Sequence, residues 1–187
     1  GYYNLLHGLN VNISNLKINK TTFIDKKDKK DKKDKKDKKK RKDKKKRKEG
    51  KPIFKKMYYP KFINEDDVVI NDCILDKNMI ITGPNASGKT TILKSAFINI
   101  ILSQQIGFGC FESLDLYPYD NFHSYLNIPD TSGRDSLFQA EARQCKEIID
   151  HITEKKDETH FCIFDELYSG TNPEEAIVSA KGFLQYI

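Results

Sequence analysis

The sequence holds no apolar run of about 18 residues, the length that a membrane-crossing helix needs, and its longest helical candidate is interrupted by the polar Asn99. No membrane span is expected. Cysteine is scarce as well. Cys73, Cys110, Cys145 and Cys162 show no paired spacing and none sits in C-x-x-C, which argues against zinc. Unpaired thiols fit a reducing interior. No signal-peptide pattern opens the chain. It begins at Gly1 rather than Met, so a piece of a longer protein is expected. At 187 residues there is room for one domain.

Excess positive charge is confined to one segment. The chain carries a net charge of +6, but residues 26–48 hold 18 Lys or Arg against 5 Asp, a local charge of +13. The remainder is mildly acidic, at −7. The segment repeats Lys-Lys-Asp from Lys26 and then becomes more basic up to Lys48. It has no apolar residue to offset the entropy of ordering, so a disordered insertion is expected. Three readings stay open for it: a nuclear import signal, a nucleic-acid contact, or a solvated insertion. The period-three repetition favours the last.

Two short strings carry the chemistry. Gly83-Pro84-Asn85-Ala86-Ser87-Gly88-Lys89-Thr90 matches G-x-x-x-x-G-K-[ST]. In such a loop the glycines let backbone N–H groups wrap a phosphate. Lys89 offers a point charge for the β- and γ-phosphates, and Thr90 a hydroxyl for Mg²⁺. Asn78 to Thr82 reads as a buried strand entering the loop. Thr91 to Gln105 reads as a helix, apolar at Ile92, Ala96, Ile100 and Leu102. A phosphate would sit on that helix N-terminus. The second string, Phe161-Cys162-Ile163-Phe164-Asp165-Glu166, is an apolar strand ending in two carboxylates about 75 residues further on. Asp165 would hold Mg²⁺ through its water shell, and Glu166 would activate the attacking water. Cys162 is expected to be buried in that strand. Together the strings imply binding and hydrolysis of a nucleoside triphosphate, with ATP and Mg²⁺ as the cofactors.

The rest of the chain organises around them. Alternation at Val11, Ile13 and at Leu16, Ile18 predicts one or two short strands. Ile53 to Phe62 is aromatic-rich, and Val68 to Leu75 reads as a strand. Strand potential recurs at 109–112 and 123–128. Residues 130–135 are a polar loop. Ser136, with Gln139 three residues on, forms a capping box for a helix to about Lys155, apolar at Phe138, Cys145, Ile148, Ile149 and Ile152. Leu167 to Thr171 is a loop. Asn172 caps a last helix with Pro173 at its first position, and Ala176, Ala180, Phe183, Leu184 and Ile187 form its apolar face.

These residues resemble a known family. Thr82-Gly83-Pro84-Asn85 with the loop that follows, and Asp165-Glu166-Leu167-Tyr168-Ser169-Gly170-Thr171, look like the ATPase domain of MutS mismatch-repair proteins, which reads T-G-P-N-x-x-G-K-S-T and D-E-x-x-x-G-T at these places. Ser132 to Glu141 is similar to the family's signature segment, S-T-F-x-x-E. The resemblance covers roughly residues 52–187, and the order of three motifs makes it specific. The string Phe164–Ala176 looks most like divergent MutS-like proteins of large DNA viruses.

The resemblance implies an α/β fold of the P-loop NTPase type, in the ABC ATPase class, with a mixed sheet flanked by helices. The expected layout is the end of a preceding connector and the first strands over 1–25, the insertion over 26–50, and the ATPase domain over 51–187. It implies a homo- or heterodimer through the ATPase domains, in which Ser136 reaches the γ-phosphate held by the other subunit. It places Asn71 against the nucleotide and Tyr59 near the adenine. Asn85, Ala86, Ser87 and Thr91 join the nucleotide site with the rest of the loop. Double-stranded DNA would be bound through domains outside this chain, and the tract 26–48 is a candidate second nucleic-acid contact.

Departures are equally specific. Asp135 puts a negative charge beside the signature serine, and Thr90 stands for the commoner serine. The family places a histidine on a strand beyond the last helix here, so the ATPase domain is expected to be incomplete at its C-terminal end. His123, His151 and His160 do not fit that place. Two other readings are weighed. An ABC ATPase of the transporter or chromosome-maintenance kind is disfavoured in its transporter form, because L-S-G-G-Q is absent. A nucleic-acid or import module acting through the lysine tract is disfavoured by intact Lys89, Thr90, Asp165 and Glu166. The site of action is read as intracellular, with the nucleus and a viral replication site left open.

Overall fold

The computed structural model describes residues 18–24, 52–126 and 136–187. The strands expected before Ile18, the tract 26–50 and the polar loop 130–135 lie outside the described residues. The chain divides into two compact units, 1–118 and 119–187.

The first unit is built on short strands. These are β1 (Asn19–Lys20), β2 (Thr22–Phe23), β3 (Ile53–Met57), β4 (Asn71–Ile74), β5 (Phe108–Gly109) and β6 (Ser113–Leu116), with helix α1 (Lys89–Ile106) and a 3-10 turn at Pro60–Phe62. A four-stranded sheet runs in the order β2-β6-β3-β4, with β2 parallel to β6 and the other pairs antiparallel. β1 and β5 pair separately. The β3–β4 register breaks between Phe54 and Met57. Lys56 sits in that break with φ 48°, and its N–H donates to the Asp72 carboxylate at 2.8 Å. Phe54, Met57, Ile100, Phe111, Leu114 and Leu116 are almost wholly buried and form the core.

α1 starts and stops on left-handed glycines, Gly88 at φ 90° and Gly107 at φ 77°, where a side chain would be strained. The helix forms as the sequence predicts, but its buried face is largely small and polar: Ser95, Ala96, Asn99, Ile100 and Ser103. Asn99 is fully enclosed and well bonded. Its amide donates to the carbonyls of Tyr58 and Ser95, both at 2.9 Å, and its oxygen accepts the Cys110 N–H at 2.6 Å. A Cβ on Gly109 would lie 2.9 Å from that oxygen and 2.4 Å from the Phe111 ring, so the close approach of this strand to α1 needs a glycine.

The buried strand expected over Asn78–Thr82 is not formed. The stretch is irregular, Met79 is 48% exposed and Ile80 is 84% exposed. An isolated strand leaves its backbone groups without ladder partners, and no strand of the first unit pairs with this stretch among the described residues. The strand expected over 68–75 shortens to β4, and of the one expected over 109–112 only Gly109 lies in a strand, β5, with β6 starting just beyond that stretch.

The second unit is a βαβ unit with a further helix: β7 (Asn121–Tyr125), α2 (Leu137–Glu154), β8 (His160–Phe164) and α3 (Pro173–Tyr186). β7 and β8 are parallel, in register from Asn121↔His160 to Tyr125↔Phe164. Parallel strands need a crossover, and α2 supplies it. Tyr125, Cys145, Ile148, Tyr168 and Phe183 form the core, with Phe138, Ile149, Ile152, Phe164, Ala176 and Ala180 packed against it. Of the expected apolar face of α3, Leu184 and Ile187 remain 47% and 40% exposed. The architecture is mixed α/β as anticipated. The single mixed sheet is replaced among the described residues by three separate small sheets. No described helix is long and apolar enough to cross a membrane.

Candidate functional site

Gly83 to Gly88 form an exposed loop directly before α1. Ser87 N–H donates to the Pro84 carbonyl at 3.3 Å, which closes a turn over Asn85 and Ala86. Ala86 takes φ 61° and Gly88 φ 90°, so the backbone twice enters the left-handed region before the helix begins. A Cβ on Gly83 would meet Ser87 Oγ at 3.0 Å. Lys89, the first residue of the helix, folds back over the loop. Its Nζ donates to the carbonyls of Gly83 at 2.9 Å and Pro84 at 2.8 Å. An ammonium is thus held at the loop rather than extended into solvent. Thr90 and Thr91 follow in the first turn, and the Thr91 carbonyl accepts the Ser95 hydroxyl at 2.7 Å. Two further predicted residues belong to the same unit. Asn71 is half-buried in β4, opposite Met57. Tyr59 immediately precedes the 3-10 turn, its ring edge-on to Phe62 at 5.5 Å.

The second unit carries the carboxylates. Asp165 N–H donates to the Tyr125 carbonyl at 3.0 Å, which extends the parallel ladder and fixes Asp165 at the C-terminal end of β8. Open α/β sheets gather ligand-binding groups at that end. Glu166 is exposed and turns the chain with φ 53°; Tyr168 does so again with φ 58°. Two non-glycine residues in the left-handed region cost about 1–2 kcal/mol each, so something must hold this loop.

Glu141 holds it. The side chain lies on α2 and is 2% exposed. Its carboxylate accepts Ser169 N–H and Ser169 Oγ–H, both at 2.9 Å, and Gly170 N–H at 3.0 Å. Tyr168 N–H donates to the Tyr125 hydroxyl at 3.1 Å. Gly170 is pressed onto the start of α2, where a Cβ would lie 2.7 Å from both Leu137 Cγ and the Phe138 nitrogen. The loop after the two carboxylates is thereby locked to the helix that Ser136 caps. Ser136 Oγ accepts Gln139 N–H at 3.3 Å, and Gln139 Oε1 accepts Ser136 N–H at 2.9 Å, which is the expected capping box. Ser136 itself is exposed.

Glu141 had a signal in the sequence, as the last letter of the signature-like segment, but not a role. Cys162 is half-buried rather than buried, and loss of solvation still pushes its thiol up to about 11. A second grouping had no spacing signal at all: His123 on β7, His151 on α2 and His160 on β8 converge. Burial holds the His123 imidazole below its usual value, with His151 and His160 adding to the effect.

Residues 79–187 match the family model described as MutS domain V. The chain belongs to the MutS family. It is 31% identical over 132 residues to the DNA mismatch repair protein MutS of Staphylococcus saprophyticus, an alignment covering 68% of this chain and 14% of that protein. It is 32% identical over 135 residues to the DNA mismatch repair protein MutS of Listeria monocytogenes, covering 68% and 15%. The endonuclease MutS2 of Staphylococcus epidermidis is 30% identical over 148 residues, covering 73% and 18%. The chain therefore spans less than a fifth of the length of these relatives. The MutS domain V match contains the loop, Asp165, Glu166, Glu141 and Ser136; Tyr59 and Asn71 precede it.

Proposed function

We propose that this chain is the ATP-binding and hydrolysing module of a MutS-like DNA-binding protein. The observation that carries the reading is Lys89, folded over the carbonyls of Gly83 and Pro84 at the start of an 18-residue helix. An ammonium has three donors. Two are engaged by the loop, and the third can take a phosphate oxygen. The backbone N–H groups of the loop and of the first turn of α1 favour an anion at the same place. Gly83 to Thr91 thus fit a polyphosphate, and the oxygen donors of Thr90 and Asp165 suit a hard cation such as Mg²⁺. When bound, Mg²⁺ neutralises charge that develops on the phosphates.

In this reading Glu166 takes up or orients the proton of the attacking water. Ser136, at a helix N-terminus, donates to the γ-phosphate held by the other protomer of a homo- or heterodimer. Tyr59 and Asn71 contact the nucleoside. ATP-driven engagement of two such modules would be coupled to binding of double-stranded, including mismatched, DNA through other parts of the protein. The tract 26–48 adds a candidate contact for nucleic acid. Membership of the MutS family speaks against the transporter alternative. The resemblance of Phe164–Ala176 to viral MutS-like proteins remains a finer reading of that one string; the relatives compared above are bacterial.

The separating experiment is Glu166→Gln. ATP binding by calorimetry is expected to stay within about twofold of wild type while turnover falls about 10²–10⁴-fold. Turnover at the wild-type rate would remove Glu166 from the chemistry.

A further inference from the structure

We propose that His123, His151 and His160 form a binding site for a zinc-class divalent transition metal, one that joins α2 to the β7–β8 pair. The ligand atoms of the three rings all lie within 4.8 Å of one another. His123 Nε2 and His160 Nδ1 are 3.0 Å apart. Zinc bonds imidazole nitrogen at about 2.0–2.1 Å in a tetrahedral site, which puts two ligand nitrogens about 3.4 Å apart. That pair sits slightly closer than this separation, at hydrogen-bond distance, and the third ligand atom lies within 4.8 Å, so ring rotations would open the pair and bring in the third. The rings are also packed as a group. His123 stacks on His160 with centroids 5.3 Å apart, and His151 stands edge-on to them at 5.1 and 6.1 Å.

The hydrogen bonds prepare the ligands. His160 Nε2 lies 2.9 Å from the Lys155 carbonyl. A carbonyl only accepts, so this nitrogen carries the proton and Nδ1 holds a lone pair. Such a bond from the far ring nitrogen to a carbonyl is the usual outer support of a metal-bound histidine. Without metal, His123 Nε2 must then carry the proton it shares with His160 Nδ1. With metal, that proton moves to His123 Nδ1 through solvent exchange, and both facing nitrogens become donors of electron pairs. His123 is 8% exposed, while His151 and His160 are half-buried, so the centre is partly withdrawn from water.

Three neutral imidazoles with no carboxylate in the set select borderline ions such as Zn²⁺ or Co²⁺ over Mg²⁺ and Ca²⁺. Three protein ligands leave a fourth position for water. The absence of paired cysteines spoke against zinc; the histidines escape a spacing search because they come from three elements that meet only in the folded βαβ unit.

The test is calorimetric titration of the chain with Zn²⁺ in the absence of nucleotide, together with the visible spectrum of the Co²⁺ form. One equivalent of Zn²⁺ is expected per chain. The Co²⁺ bands are expected to be of tetrahedral intensity, without thiolate charge transfer. His151→Gln and His160→Gln should each weaken binding about 100-fold or more, since even loss of an outer-sphere partner costs 10–100-fold. His151 is half-exposed on a helix, so His151→Gln keeps the fold, which circular dichroism checks. It also leaves the phosphate loop, the cysteines and the aspartates of residues 26–48 in place. Failure of wild type to take up one equivalent, or equal uptake by wild type and His151→Gln, overturns the proposal.

Discussion

At the scale of single residues, Glu141 links two of the motifs. Among the described residues it is the one buried Asp, Glu, Lys or Arg side chain, and it satisfies three donors of the loop that follows Asp165 and Glu166. Glu141→Ala would strand Ser169 N–H and Gly170 N–H at a cost of about 1–3 kcal/mol per group. We predict a loss of about 2–5 kcal/mol in urea unfolding of the chain, with Glu141→Gln intermediate, because the amide presents one oxygen and turns its NH₂ toward a donor. A change below about 0.5 kcal/mol for Glu141→Ala would show that the loop is held by something else. Gly170 works beside it through shape: any side chain there meets the backbone of Phe138.

At the scale of elements, the helices were the most legible part. Ser136 with Gln139, and Asn172 with Pro173, mark their helix starts by local chemistry that tertiary structure leaves alone. Strands were less so, because a strand depends on a neighbour. Asn78–Thr82 has the composition of a buried strand but no partner strand among the described residues of its unit. The stretch 109–112 reads as one strand, yet Asn99 captures the Cys110 N–H and the chain turns, Phe111 N–H donating to the Gly109 carbonyl at 3.2 Å. α1 was read from its loop and from Ile92, Ala96, Ile100 and Leu102 near helical spacing, yet only Ala96 and Ile100 of these are buried, and its buried face is otherwise polar. In the candidate site, residues contiguous in sequence were legible, and those that converge from separate elements were not: Glu141 and the three histidines. The tract 26–48 yields a prediction of its own. Deleting it removes no apolar residue, so melting temperature and ATP turnover are expected to stay unchanged. Nonspecific DNA affinity should fall and its salt dependence flatten, because fewer lysines release counterions. A fall in melting temperature of more than about 5 °C would contradict that reading.

At the scale of the whole molecule, the proposed site is composite across a dimer. Mixing Ser136→Arg with Lys89→Ala is then expected to restore hydrolysis that neither variant shows alone. In a mixed dimer one site joins an intact loop to an intact serine, so about a quarter of all sites recover if pairing is random. A mixture no more active than its parents, with dimers verified by light scattering in ATP, would place Ser136 outside the site. The account rests first on the phosphate loop, and calorimetric titration of wild type and Lys89→Ala with Mg-ATP tests it most directly. Loss of the ammonium that bridges Gly83 and Pro84 should weaken binding about a hundredfold, equivalent to about 2.8 kcal/mol. Equal affinity in the two proteins would contradict the central claim that this loop holds ATP.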